Sequence, residues 1–419
     1  MKTLKESITK QFLRIRSCTQ TLVEGLEPED FLLQESVNTS PVKWHLAHTS
    51  WFFETFVLKA AVPDYEPVRE DSDYLFNSYY NAIGDRIARD RRGLLSRPSI
   101  AEVLRYRTEI DFRMAALLEG LTADQLDKVR SIVVLGLNHE QQHQELILTD
   151  LKAAFGWNPT RPAYGAEQER TSQHATPLQW LEIGEGIRSI GFGGDGFSFD
   201  NESPRHRVFL EPFSIASRPS TNAEYLAFME NGGYDRPELW LSDGWAKKSA
   251  ENWSCPRYWE KSSSSWATYT LGGMRPVVES EPVVHLSFYE ADAFARWSEA
   301  RLPTEAEWES VASELEIEGN FLESKKFHPE TGPGKANRAC QMFGDVWEWT
   351  ASPYIAYPGY RPASGALGEY NGKFMCNQMV LRGGSCATPI DHIRATYRNF
   401  FPPEARWQFS GIRLARDVR

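Results

Sequence analysis

At 419 residues, with 41% hydrophobic and 25% charged side chains, the chain has a globular composition and exceeds one ordinary hydrophobic core, so two or three domains are expected. A net charge of −11 argues against an extended nucleic-acid surface, which needs a Lys/Arg excess on some face, and no apolar run approaches the length of a membrane span. Five cysteines (Cys18, Cys255, Cys340, Cys376 and Cys386), an odd number without C-x-x-C spacing, indicate neither a disulfide framework nor a cysteine zinc site, and a reducing cytoplasm is the expected setting.

The chain opens MKTLKESITKQFLRIRS, where Leu4, Ile8, Phe12 and Ile15 recur at helical spacing among charges, which predicts a first helix rather than a signal peptide. A second helix follows Pro41, with His45, His48, Phe52 and Phe56 of VKWHLAHTSWFFETFVLKA on one side. Asp85–Arg97 holds five arginines and reads either as a solvated, self-paired loop or as a clamp for a carboxylate. Ser99-x-x-Glu102 is a capping box ahead of a stripe of Val103, Tyr106, Ile110, Met114, Leu117 and Leu121. Thr122-x-x-Gln125 opens a long helix whose inward face is expected to run Val129, Ile132, Gly136, His139, His143 and Leu146.

Within that helix, LNHEQQHQEL matches the H-E-x-x-H zinc-protease pattern literally. A protease helix of this kind normally stands beside an edge strand that binds substrate, and no strand-rich segment surrounds this one. Glu140 is then a carboxylate behind the ligands or facing solvent, rather than a general base. Two helices that direct histidines into one bundle are the arrangement from which bundle metal sites are built. Three neutral imidazoles without a committed carboxylate suit Fe(II) and catalytic Zn(II) equally.

From Gly156 to about Pro177 proline, glycine and polar residues break the pattern and read as a linker. Beyond it, short apolar runs alternate with turn residues, and RLPTEAEWESVA carries a third capping box, Thr304 with Glu307. The expected class is α+β in two domains: a helical bundle over 1–160, a linker over 161–177 and an irregular α+β domain over 178–419.

LAHTSWFFE and GLNHEQQHQE resemble the DinB-like four-helix domain, while RLPTEAEWE, MFGDVWEWT, VLRGGSC and GIRLARD resemble the formylglycine-generating-enzyme fold, related to C-type lectins. In this order the two domains resemble the ergothioneine-biosynthetic sulfoxide synthases along essentially the whole chain. The resemblance implies a mononuclear non-haem Fe(II) held by His48, His139 and His143, with His45 left out, and the second domain closing over the site. It implies O2 as co-substrate and two small-molecule substrates, Nα-trimethylhistidine (hercynine) and a cysteine-type thiol, joined through sulfur to the imidazole C2 as a sulfoxide.

Carried over residue by residue, the resemblance gives Gln142, Asn399 and Phe400 to the trimethylhistidine, the aromatic face suiting a quaternary ammonium group. Phe401 stands where the γ-glutamylcysteine-using branch has an amine-binding aspartate, which implies free cysteine as the donor. Tyr370 matches that branch's catalytic tyrosine poorly, whereas NSYYNAIG resembles the branch that supplies tyrosines from the first domain, so Tyr79 and Tyr80 are the catalytic candidates, with interface packing as the alternative. Arg89 and Arg92 lie at suitable spacing for the cysteine carboxylate, with Arg86, Arg91 and Arg97 nearby. Cys386 finds no partner for the copper-binding cysteine pair of formylglycine-generating enzymes. Other readings are a thiol dioxygenase or a C–Se-forming relative on the same fold, a lectin-like module with structural zinc, and a zinc hydrolase.

Overall fold

A computed structural model describes residues 2–165, 174–263, 265–334 and 337–418. The linker expected over 161–177 lies partly outside the described residues. The chain divides into two compact units, one of residues 1–160 with Ala363–Tyr370, the other of Arg161–Pro362 with Asn371–Arg419.

The first unit is helical, and among its described residues there is no strand. Its helices are α1 (Lys2–Thr21), α2 (Val42–Phe53), the short α3 (Lys59–Ala61) and α4 (Ser72–Phe76), then α5 (Ile100–Gly120) and α6 (Ala123–Trp157). Four of them make the bundle, with α1 and α2 each packing on both α5 and α6. Ser99 and Thr122 cap α5 and α6 in full capping boxes, each side-chain oxygen accepting the backbone N–H three residues on. Ile8, Phe12 and Ile15 of α1 are buried, as their spacing requires.

Three details depart from the expected pattern. Every residue of α2 from Val42 to Phe53 is buried, because α2 touches α4, α5 and α6 and so has no solvent face. The inward stripe of α5 continues through Leu118 rather than Leu117 and Leu121, and that of α6 runs through Leu126, Val133, Leu137 and Ile147 rather than Val129, Ile132 and Leu146. Directly after α2 the helix widens into a π-type turn over Glu54–Leu58. The buried Glu54 carboxylate there accepts hydrogen bonds from Tyr65 Oη (3.0 Å), Val68 N (2.8 Å) and Tyr106 Oη (2.6 Å).

The second unit is α+β. Strands β1 (Trp180–Ile183), β2 (Gly186–Ile190), β3 (His206–Leu210) and β4 (Phe213–Ala216) precede helices α7 (Asn222–Glu230) and α8 (Ser242–Ala250). Then come β5 (Trp259–Lys261), β6 (Trp266–Thr270), β7 (Gly273–Pro276), α9 (Phe288–Trp297) and α10 (Glu305–Ala312). The last strands are β8 (Trp347–Pro353), β9 (Met379–Arg382), β10 (Asn399–Phe401), β11 (Ser410–Gly411) and β12 (Ala415–Asp417). They form small sheets in the orders β1-β4-β12, β2-β3, β5-β6-β7 and β10-β9-β8-β11, antiparallel except where β11 runs parallel to β8.

Charged residues of the sequence motifs hold these sheets to α10. Arg413 donates to both oxygens of Glu348, which also accepts the Trp308 indole N–H at 2.6 Å. Arg382 pairs with Glu309 at 2.9 Å, and Arg398 forks onto Glu305 through two 2.9 Å bonds. Gly383 sits at φ +100°, and a Cβ there would lie 2.5 Å from the Met342 carbonyl oxygen, so only glycine fits the turn.

Candidate metal centre

Helix α2 supplies His48, and α6 supplies His139 and His143 one turn apart. Their approach depends on Gly136, one turn earlier on α6, where a Cβ would come within 2.6 Å of the Phe53 ring. The three side chains are buried, and one nitrogen from each lies within 4.8 Å of the others. The His139 Nε2 is 3.2 Å from His48 Nε2 and 3.0 Å from His143 Nε2. Imidazole nitrogens bound to one ion at about 2.1 Å stand about 3 Å apart in adjacent octahedral positions, so the spacing fits a shared metal.

The protonation states favour ligation. Burial holds His139 down to about 3 from an ordinary 6.5. Burial and the neighbouring imidazoles hold His48 and His143 well below it. All three rings are therefore neutral at pH 7, the form that binds metal. His48 Nδ1 donates to the Phe76 carbonyl at 2.5 Å, which leaves its Nε2 as a lone pair. His139 Nδ1 is buried without a hydrogen-bond partner among the described residues. Lone pairs crowded at this distance repel unless a cation or a proton lies among them.

Glu140 turns away from the cluster. Its carboxylate is fully buried and accepts from Arg16 (2.6 Å), Arg107 (2.5 Å) and Thr19 (2.7 Å). Burial opposes its charge, but Arg107 and Arg16 overcome that and hold it at about 2. It faces neither solvent nor a reacting atom, which removes the protease base and corrects the solvent-facing alternative.

Around the histidines Trp44 stacks on His48 at 4.5 Å, and Arg92 lies 3.4 Å over the other ring system of that stack, Trp44 itself. Arg92 is buried, donates to Ser40 Oγ at 2.9 Å, and keeps its Nε without a partner among the described residues. Burial, with Arg89 and Arg86 close by, lowers its affinity for its proton, as expected of a cation short of counter-charge. Arg89 is exposed and donates to the Asn38 carbonyl.

Gln142 is half-buried, and its Oε1 accepts the Tyr370 hydroxyl at 2.5 Å. The Tyr370 ring meets His139 edge-on at 5.8 Å and Tyr79 at 6.3 Å. Tyr79 lies 4.7 Å from Tyr80, which is fully buried against Trp51 and Phe56. Burial and the other two tyrosines push the Tyr80 hydroxyl well above its ordinary value. Glu369 accepts the backbone N–H groups of Asn81 and Ala82, tying the Ala363–Tyr370 segment to the tyrosine loop. Tyr370, a poor match to the catalytic tyrosine in the sequence, reaches this place only through folding, 228 residues along the chain from Gln142.

Asn399 and Phe400 lie on β10 of the second unit. Asn399 Oδ1 accepts the Phe400 N–H at 2.9 Å, and Phe400 stacks on Tyr354 at 4.0 Å with rings 9° from parallel. Phe401 packs edge-on against Trp407. No disulfide joins any of the five cysteines.

The DinB superfamily profile matches residues 11–147, and the Sulfatase-modifying factor enzyme 1-like domain matches residues 167–339 and 333–418. Over 99% of its length the chain is 29% identical to the hercynine oxygenase of Mycolicibacterium smegmatis, covering 99% of that protein. It is 28% identical to the hercynine oxygenases of Mycolicibacterium thermoresistibile and Mycobacterium tuberculosis, again over 99% of this chain and over 95% and 100% of theirs. With more than half its length matched, the chain belongs to the sulfatase-modifying-factor-enzyme-1-like family, and a DinB-superfamily bundle precedes that domain.

Proposed function

We propose that this protein is an O2-dependent non-haem iron enzyme of ergothioneine biosynthesis that joins the sulfur of cysteine to the imidazole C2 of hercynine as a sulfoxide. The observation that carries the reading is the convergence of His48, His139 and His143, three buried neutral imidazoles with no carboxylate among them. The full-length similarity to proteins named hercynine oxygenase supports the substrate. Fe(II) held by the three histidines would supply O2 activation and a common anchor for thiolate and imidazole.

The chain's own groups do the rest. Arg92, with Arg89 beside it, holds the cysteine carboxylate, a role that suits a buried guanidinium with an unpartnered Nε. Gln142 is the first unit's candidate for holding hercynine, and Asn399 with Phe400, whose ring is backed by Tyr354, is the second unit's candidate for a trimethylammonium group. Tyr79, Tyr80 and Tyr370 form a cluster whose Tyr370 ring meets His139, and a hydroxyl of this cluster gives a proton as the S–C bond forms. Phe401 gives no acceptor for a substrate amine, which favours cysteine over γ-glutamylcysteine.

Anaerobic titration with Fe(II), followed by oxygen uptake with both substrates, tests the reading. One iron per chain and uptake that needs hercynine and cysteine are expected, and the His139→Ala protein should retain no iron. A tightly held zinc with no oxygen uptake would overturn it.

A further inference from the structure

Two buried groups beside the trio are unused by this account. His45 lies on α2 and Asp150 on α6, with 2% and 4% of their surfaces exposed. His45 Nε2 is 3.1 Å from Asp150 Oδ2, and His45 Nδ1 is 2.7 Å from His143 Nδ1. Asp150 Oδ2 also accepts the Ser40 backbone N–H at 2.8 Å.

With both rings uncharged, these contacts assign the place of each proton. The Ser40 N–H can only donate, so Oδ2 is an acceptor and His45 Nε2 donates to it. A neutral imidazole with its proton on Nε2 has a lone pair on Nδ1. The proton between the two rings therefore belongs to His143 Nδ1, and His143 Nε2 is left as the lone pair beside His139. The opposite order would place a proton on His143 Nε2, where an ion would bind.

We propose that His45 and Asp150 are positioning residues: an Asp150–His45–His143 relay that locks His143 in its metal-binding tautomer and extends carboxylate charge toward the ion. The inference rests on the reading of the trio as a metal site. It makes the three ligands inequivalent, since His48 leans on a backbone carbonyl and His139 on no partner among the described residues. It also gives His45 a function that helical spacing could not, close to the ligands without being one.

The test measures Fe(II) and Zn(II) affinity by chelator competition, and ring protonation by nitrogen NMR of the histidine-labelled, zinc-loaded protein. His45→Phe keeps ring shape and burial but removes both nitrogens, and should weaken binding of both ions by about 10–100-fold. His45→Asn sets an oxygen near the Nδ1 position and should recover much of that loss. Asp150→Asn keeps an oxygen facing the Ser40 and His45 donors, so it should cost less than His45→Phe. In the wild type, the proton is expected on Nδ1 of His143 and on Nε2 of His45. Wild-type affinity in a His45→Phe protein of unchanged Tm, or a His143 proton on Nε2, would overturn the relay. If His45→Phe does not fold, the wild-type NMR result decides. A wild-type protein that binds neither ion would overturn the metal reading itself, a result visible before any variant is compared.

Discussion

Tyr370 donates its hydroxyl to Gln142 while its ring meets His139, whereas Tyr80 is closed in by Trp51 and Phe56. A proton donor has to reach the reacting atoms, and a positioned general acid contributes about 100-fold or more. Tyr370→Phe is therefore expected to shift product from the coupled sulfoxide to cysteine sulfinate by at least about tenfold, and Tyr80→Phe by less. Chromatographic product ratios check this, and equal ratios for both variants would remove Tyr370 from the role. The residues differ in how readable they were. His139 and His143 sit four apart in one helix, so local periodicity put both on a buried face. Tyr370 owes its place to a chain excursion of more than two hundred residues, and no local pattern encodes that. His45 and His48 share a buried helix, so spacing could not separate them; the resemblance chose His48, and in the fold His48 leans on the Phe76 carbonyl while His45 meets Asp150.

At the scale of the element, α6 carries histidines toward the centre of the bundle and Glu140 toward α1 and α5. Glu140→Gln would leave Arg107 buried without its ion-pair partner and Arg16 with Asp111 alone, at a cost of about 3–5 kcal/mol, readable as a lowered Tm. The pH dependence follows from the same pair of arginines. Glu140 is held at about 2, below its ordinary 4.5, so its contribution is complete above pH 4.5 and is lost as pH falls toward 2. The acid loss of stability between those values should be shallower in Glu140→Gln. Gly136→Ala would press a methyl group into Phe53, costing about 1–3 kcal/mol by overpacking, and the displaced α6 should bind Fe(II) more weakly. An unchanged Tm and iron affinity in that variant would contradict the packing argument. Helix starts were legible because capping boxes at Ser99, Thr122 and Thr304 are local chemistry. The π-type turn after α2 was not, since its support comes from Tyr65, Val68 and Tyr106 on other segments.

In the whole molecule, the motifs that announce the architecture are chiefly fasteners. Thr304, Glu305, Glu307 and Glu309 of RLPTEAEWE cap α10 or receive arginines, Glu348 of the WEW run receives Arg413, and Gly383 makes a turn closed to larger residues. Such residues identify the fold and say little of its chemistry, which is why the second unit's class was readable from them while Asn399 and Phe400 were singled out by the resemblance alone. The donor set, by contrast, lies wholly in the first unit. Mass spectrometry of products from the Fe(II)-loaded protein in air, given hercynine with equal amounts of cysteine and γ-glutamylcysteine, tests the central claim most directly. Hercynylcysteine sulfoxide should dominate; oxygen consumption without any coupled product would contradict the proposed reaction, and a dominant glutamyl product would contradict the role given to Phe401.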